Sequence, residues 1–261
     1  MKPLKALGAL IALGTAFGCL ADTPSDVLVK DIHLQSFFHT RQPWEVKIYQ
    51  PTGEDADTGK NPVRVCFVGP NQAPDCAPLL GADPMPEVGP ASYPLQTLGR
   101  VELKMLPTAP SGPKRPALII EATFSGGGPG VLRTMFVWTD LGGPSRKNDA
   151  FMLSFRSTIG NAGQQEFVSS GPLAGYFVMV DQTSMGDEAN EEAPKHYVMD
   201  VYAPATLGYT QVLSILSKDR YPSNHTGDGL PNALHVLTPE IARALRGAYP
   251  NGMPSDMYRS P

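Results

Sequence analysis

The sequence predicts a mainly β protein, with antiparallel sheets of about eleven strands in a sandwich or barrel-like arrangement and one C-terminal helix. Apolar and polar residues alternate with a period of two in several short segments, which is typical of strands that bury one face. The chain also has 26 glycines and 27 prolines among 261 residues, well above average usage of about 7% and 5%. This excess disfavours a helical bundle, because proline breaks helix interiors. Only one segment has a convincing helical pattern.

Two kinds of strand are predicted. Segments 44–48, 63–67 and 101–105 alternate between apolar and polar residues and predict half-buried strands. Segments 117–124 and 131–138 are apolar on both faces and predict central strands that are covered on both sides. The other strand candidates are 27–34, 150–157, 164–168, 173–182, 196–203 and 209–217.

The predicted helix begins near Thr238, as the N-cap, with Pro239 at the first helical position. Its apolar face would consist of Ile241, Ala242, Leu245 and Ala248. The segment 250–252, Pro-Asn-Gly, ends the helix.

The interval 70–100 contains seven prolines and no strand pattern. It predicts a long ordered excursion, with one helical turn at 93–98.

The N-terminus predicts a secretory signal peptide at residues 1–21. Lys2 and Lys5 precede an uncharged apolar run from Ala6 to Ala21, as in signal peptides. The run is shorter than the ~20 residues of a membrane-spanning helix. A single β-rich domain at 22–252 and a loose tail at 253–261 would follow.

A second interpretation of the N-terminus is a bacterial lipoprotein. Gly18 and Cys19 resemble the end of a lipobox, although Ala16 and Phe17 depart from its usual residues. Lipidation of Cys19 would tether the domain to a membrane.

The two remaining cysteines, Cys66 and Cys76, predict a disulfide. Export would place them in a compartment that permits disulfides. The short loop between them is easily bridged, whereas a structural zinc site requires about four clustered ligands. We therefore expect no metal and no cofactor.

The net charge of the chain is −4, and removal of residues 1–21 takes away two lysines and no acid. An acidic domain without basic runs disfavours nucleic acid as a partner. Contact with a membrane is expected only through Cys19. An envelope protein or a glycan remains as the expected partner, and the oligomeric state does not follow from the sequence.

Three polar segments are candidate sites. The Gly-rich segment 125–130 lacks the Lys-Ser or Lys-Thr of a phosphate-binding loop and predicts a hairpin turn between central strands. The acidic segment 187–192 predicts a solvated hairpin tip. Segment 217–232 offers the best ligand-binding candidates, which are Asp219, Asn224, His225 and Asp228. The alternative for this segment is an ordered connection whose side chains bond their own backbone.

The function expected from these observations is that of an exported bacterial envelope protein with a non-enzymatic binding or interaction domain. No Gly-x-Ser-x-Gly nucleophile motif is present. An envelope hydrolase with a site assembled near 219–235 is one alternative, and a lipid-anchored structural lipoprotein is another. A concave site that gathers His225 or His235 with carboxylates would favour the hydrolase.

Overall fold

A computed structural model provides the fold. It describes residues 26–52, 61–82, 92–108, 112–124, 130–139, 151–158, 164–183, 192–205, 208–223 and 230–253.

These residues form fourteen strands and two α-helices. The first seven strands are β1 (Asp26–His33), β2 (Glu45–Pro51), β3 (Arg64–Val68), β4 (Asp75–Pro78), β5 (Leu80–Ala82), β6 (Ser92–Pro94) and β7 (Thr97–Pro107). The others are β8 (Lys114–Phe124), β9 (Gly130–Trp138), β10 (Phe151–Thr158), β11 (Gln164–Phe167), β12 (Phe177–Gln182), β13 (Tyr197–Ala205) and β14 (Gly208–Leu216). The helices are α1 (Gln35–Phe38) and α2 (Ala233–Ala248), and a 3-10 turn spans Gly171–Leu173.

The strands form three antiparallel sheets of four strands and one of two. The first sheet has the order β1-β2-β3-β4, the central sheet β10-β9-β8-β7 and the third sheet β11-β12-β13-β14. Strands β5 and β6 pair separately. Among the described residues, every strand pairing joins strands that follow each other along the chain. The predicted mainly β, antiparallel fold class with one C-terminal helix is confirmed, although more short strands form than the sequence predicted.

The central sheet is buried on both faces. Leu118, Ile120 and Trp138 face the first sheet, where they share a core with Ile48 and Phe67. This confirms that the apolar segments at 117–124 and 131–138 are central strands with both faces covered.

The other face of the central sheet packs on the third sheet. Ala117, Ile119 and Met135 share a second core with Phe177 and Tyr209. Since successive side chains of a strand point to opposite faces, β8 supplies both cores with alternate residues.

Helix α2 covers the outer face of the third sheet. Val178 and Val180 of β12 share a third core with Leu237, Ile241 and Leu245 of the helix. The layers therefore follow the order sheet, sheet, sheet, helix. Within the described ranges, no helix is long and apolar enough to cross a membrane.

The interval 70–100 differs from the prediction. It contains β4, β5, β6 and the start of β7, and residues 93–98 form no helical turn. Pro78 ends β4, the edge strand of the first sheet, and Pro94 ends β6 in the two-stranded sheet. Edge positions tolerate proline because no ladder bond needs its missing N–H, so the proline content misled the prediction.

Helix α2 begins earlier than predicted. It starts at Ala233, after Asn232 in the left-handed region at φ 51°, and Pro239 lies inside it. Thr238 does not cap the helix; its hydroxyl donates to the carbonyl of Leu234 at 2.7 Å.

The end of α2 agrees with the prediction. The N–H of Tyr249 closes the last turn onto the carbonyl of Leu245 at 2.9 Å, and Gly252 follows at φ 82°. Of the predicted apolar face, only Ala248 is exposed.

The predicted disulfide is present between Cys66 and Cys76. The two residues lie directly opposite each other on β3 and β4. The bridge therefore fastens an edge strand to the interior of the first sheet.

We expect the double variant Cys66→Ala, Cys76→Ala to lose about 2–3 kcal/mol of unfolding free energy, because the unfolded chain regains the entropy of the open loop. Urea denaturation of the variant and of the oxidised protein measures the difference. Alkylation of the unfolded protein before and after reduction is the control. Two alkylated thiols without reductant would contradict the bridge.

Candidate functional site

The sequence-predicted site residues are only partly described. Asp219 is exposed beyond the end of β14, and its backbone carbonyl accepts a bond from the hydroxyl of Ser217 at 2.8 Å. Asn224, His225 and Asp228 lie outside the described residues, as does Cys19. Among the residues that the structure does describe, no group of three or more His, Cys, Asp or Glu side chains could hold a metal ion.

A cleft of about 890 Å³ instead opens between the central sheet, the third sheet and the start of α2. This volume lies within the range of small-ligand and peptide sites. The central sheet contributes Gly99, Arg100, Glu121 and Arg133; β11 contributes Gln164, Gln165 and Glu166; the following loop contributes Val168, Ser170, Gly171 and Pro172; and the start of α2 contributes Asn232, Leu234, His235 and Thr238. His235 belongs to the region 219–235 of the alternative hydrolase hypothesis, whereas the favoured candidate Asp219 is not part of the lining.

The floor of the cleft is a buried carboxylate held by two hydrogen bonds and an ion pair. The Glu121 side chain is only 8% exposed. Arg133 donates to one of its carboxylate oxygens at 3.2 Å, while Arg100 lies 3.6 Å from the other. Gln165 of β11 donates to that second oxygen at 2.7 Å. A buried carboxylate is stable only when paired and hydrogen-bonded, so these contacts tie the third sheet to the central sheet.

A β-bulge places Arg100 on this floor. The register of β7 against β8 shifts between Leu98 and Arg100, leaving Gly99 as the extra residue. Leu98 packs into the core shared with the first sheet, whereas Arg100 lines the cleft on the opposite face. A bulge shifts the alternation of a strand by one residue, and without it these two side chains would share a face.

The sequence contained a signal for this site that was missed. Glu121 and Arg133 interrupt the two apolar central segments, at positions that alternation assigns to the same buried face as Ile119 and Met135. A charged residue at a buried strand position requires a partner. Two such residues of opposite sign on neighbouring strands predict an ion pair inside the fold.

Helix α2 and β11 form the opposite wall. The side-chain oxygen of Gln164 accepts the backbone N–H of Leu234 at 2.9 Å. This N–H belongs to the first helical turn and has no partner within the helix. Gln164 therefore fixes the start of α2, and with it His235, at the edge of the cleft.

Asp181 of β12 adds a titratable group near this cluster. Burial raises the pKa of Asp181 to about 7, against the lowering effects of a bond from the Gln182 N–H and of the Arg133 charge. Desolvation therefore outweighs the attraction of the guanidinium.

We expect Glu121→Gln to lower the unfolding free energy by about 1–3 kcal/mol, because it leaves two guanidinium groups without their shared carboxylate. Their partial exposure to water keeps the loss below that of a fully buried pair. Urea denaturation at pH 7 measures it. Glu102→Gln is the matched control: its carboxylate is 39% exposed and 3.8 Å from Arg100, so a change within about 0.5 kcal/mol is expected. Equal losses in both variants would count against the cluster.

We expect Asp181→Asn to stabilise the protein at pH 8 but not at pH 4. The unfolded chain ionises Asp181 near pH 4, whereas the folded protein holds the proton until about pH 7. Folding therefore binds a proton between these values, and stability falls as pH rises through this window.

The variant lacks this penalty, and a gain of about 1–3 kcal/mol at pH 8 is expected. Denaturation midpoints of both proteins between pH 4 and pH 8 measure it. A constant difference across the range would contradict the prediction.

Comparison with protein-family models, with curated proteins and with solved structures finds no match for this chain. The function must therefore be argued from the site itself.

Proposed function

We propose that this chain is an exported bacterial envelope protein with a non-enzymatic binding domain that holds its partner in the cleft. The observation that carries the proposal is the cleft itself, which has a structured polar floor and lies where two sheets and a helix meet. Ligand sites are typically concave, with a few polar groups placed to orient the ligand.

The lining is suited to hydrogen bonding. The side chains of Arg100 and Arg133 are 35% and 30% exposed, and Asn232, His235 and Thr238 add further polar groups. A rigid floor supports recognition, because preorganised groups lose little entropy when a ligand binds.

A hydrolase is the second candidate, and the position of His235 favours it. This histidine lines the same cleft as the carboxylates of Glu121 and Glu166. However, Glu121 accepts hydrogen bonds from Arg133 and Gln165 and forms an ion pair with Arg100, and these contacts compete with the proton transfer that a general base performs. In the described part of the chain, no hydrogen bond or ion pair orients the His235 side chain, although catalytic bases are usually oriented by a third group. These features support binding over catalysis.

Photo-crosslinking tests the binding function. A photo-reactive phenylalanine at Ser170, an exposed residue of the lining, should capture a partner from envelope extract. The matched control is the same substitution at Ser214, an exposed serine of β14. We expect a covalent adduct only from position 170, and mass spectrometry identifies its chemistry. No adduct, or equal adducts from both positions, would refute the proposal. A cleaved partner whose cleavage is lost in His235→Ala would favour the hydrolase instead.

Export rests on the predicted signal peptide and is supported by the disulfide, because disulfides persist in oxidising compartments.

A lipid-anchored structural lipoprotein remains the alternative and depends on Cys19. We expect no incorporation of labelled palmitate into the exported protein. Labelling that disappears in Cys19→Ala would establish the lipoprotein. Cys76→Ala serves as the control for a cysteine substitution.

A further inference from the structure

We propose that the ligand is an extended polypeptide segment that pairs with the edge of β11 opposite β12 and adds a fifth strand to the third sheet. This inference rests on the proposed function, since it specifies the ligand that the cleft binds. Addition of a strand to an exposed sheet edge is a general mode of peptide recognition.

The cleft runs along the edge of β11. Gln164, Gln165 and Glu166 are consecutive, and all three line it. Successive side chains of a strand point to opposite faces: Gln165 reaches Glu121 of the central sheet, and Gln164 reaches the start of α2. A cavity that touches both faces of one strand must pass around its edge. Strand β12 occupies the other edge, so the cleft follows the edge opposite β12.

The direction of the backbone groups follows from the ladder. The N–H of Val168 donates to the carbonyl of Tyr176 at 2.9 Å, just beyond β11 and β12. In antiparallel pairs, alternate residues direct their N–H and C=O groups to the same neighbour. Glu166 and Gln164 therefore bond to β12, whereas Gln165 and Phe167 direct their backbone groups away from it.

The pairing of β12 with β13 leads to the same assignment of the backbone groups. The N–H of Thr183 donates to the carbonyl of His196 at 2.9 Å, so the odd-numbered residues of β12 bond to β13. Even-numbered residues of β12 are left to bond β11, and they stand opposite Gln164 and Glu166. Within the described ranges, no strand pairs with the outward groups of Gln165 and Phe167.

The chemistry of the lining favours a polypeptide over a sugar. None of the described lining residues is aromatic, so no flat apolar ring is available to stack on a pyranose. The lining charges also balance, with Arg100 and Arg133 against Glu121 and Glu166, and give no preference for an acidic or a basic ligand. Main-chain pairing then supplies the affinity, and we expect a ligand of tolerant sequence.

The recessed position of β11 favours a single extended chain as the ligand over a folded protein. The strand has only four residues and lies between the floor at Glu121 and the start of α2. A single extended chain, rising about 3.3 Å per residue, can follow such a short edge. The broad edge of a second folded copy would meet both walls.

The experiment uses short linear peptides of randomised sequence, displayed as a library and selected on the purified full-length protein. The best binder is then synthesised with single N-methyl groups along its backbone. We expect methylation of a nitrogen that pairs with β11 to weaken binding about tenfold, the effect of losing one hydrogen bond. Methylation of the alternate nitrogens should change binding less than about threefold.

Two variants separate the backbone of Gln165 from its side chain. Gln165→Pro removes the outward N–H and the bond to Glu121, whereas Gln165→Ala removes only that side-chain bond. Proline is tolerated at an edge position whose N–H points away from the sheet. We expect the proline variant to bind the peptide about tenfold more weakly than the alanine variant.

Amide hydrogen exchange in the unaltered protein provides a measurement that needs no variant to fold. The bound peptide should slow exchange at Gln165 and Phe167 and leave Glu166, which already bonds β12, unchanged.

Selected peptides that are insensitive to N-methylation, or no selected peptide at all, would overturn the inference. Capture of a glycan from position 170 would also overturn the peptide inference, but it would still support the cleft as the binding site. Failure to capture anything at that position would refute the proposed function itself.

Discussion

The structure depends on one constraint, which is that the central sheet is buried on both faces. Ile119 and Ile120 are adjacent in β8, yet they belong to different cores. The first sheet and the third sheet therefore pack on opposite sides of the same strands, and helix α2 covers the outer face of the third sheet. Burial of this kind contributes about 25 cal/mol per Å² of apolar surface, so the central strands hold both outer layers in place.

The charged floor of the cleft is a local exception to this rule. Glu121 occupies a position of the buried face where Ala117 and Ile119 are apolar, and the cost of burying its charge is offset by Arg100, Arg133 and Gln165. Apolar residues would fill this space and close it. The ion cluster instead joins the two sheets by directional bonds and leaves a polar cleft beside them. The polarity of the site and the stability of the layer contact thus have the same origin.

Much of the fold follows from local sequence, while the site depends on distant contacts. Alternation predicted the half-buried strands, continuous apolar segments predicted both central strands, and the spacing of Cys66 and Cys76 predicted their bridge. The prolines of 70–100 concealed the strands of this interval. Proline occurs both at sheet edges and in loops, and the sequence alone does not show which strands pair. The cleft was missed because it depends on the bulge at Gly99, which shifts the alternation, and on side chains from β8, β9, β11 and α2. The candidate Asp219 was chosen for its polar neighbours along the chain, and polarity along the chain does not show which residues meet in space.

The consecutive order of the strands has a consequence for how the chain acquires its structure. Each sheet consists of strands that follow one another directly, so each can form hairpin by hairpin with small loop-closure costs. The first sheet is complete at Pro78, and its disulfide can close before any central strand is needed. The long-range step is then the docking of preformed sheets onto the central one. A chain that emerges from its N-terminus, as during synthesis or secretion, can therefore build its layers in the order in which they finally stack.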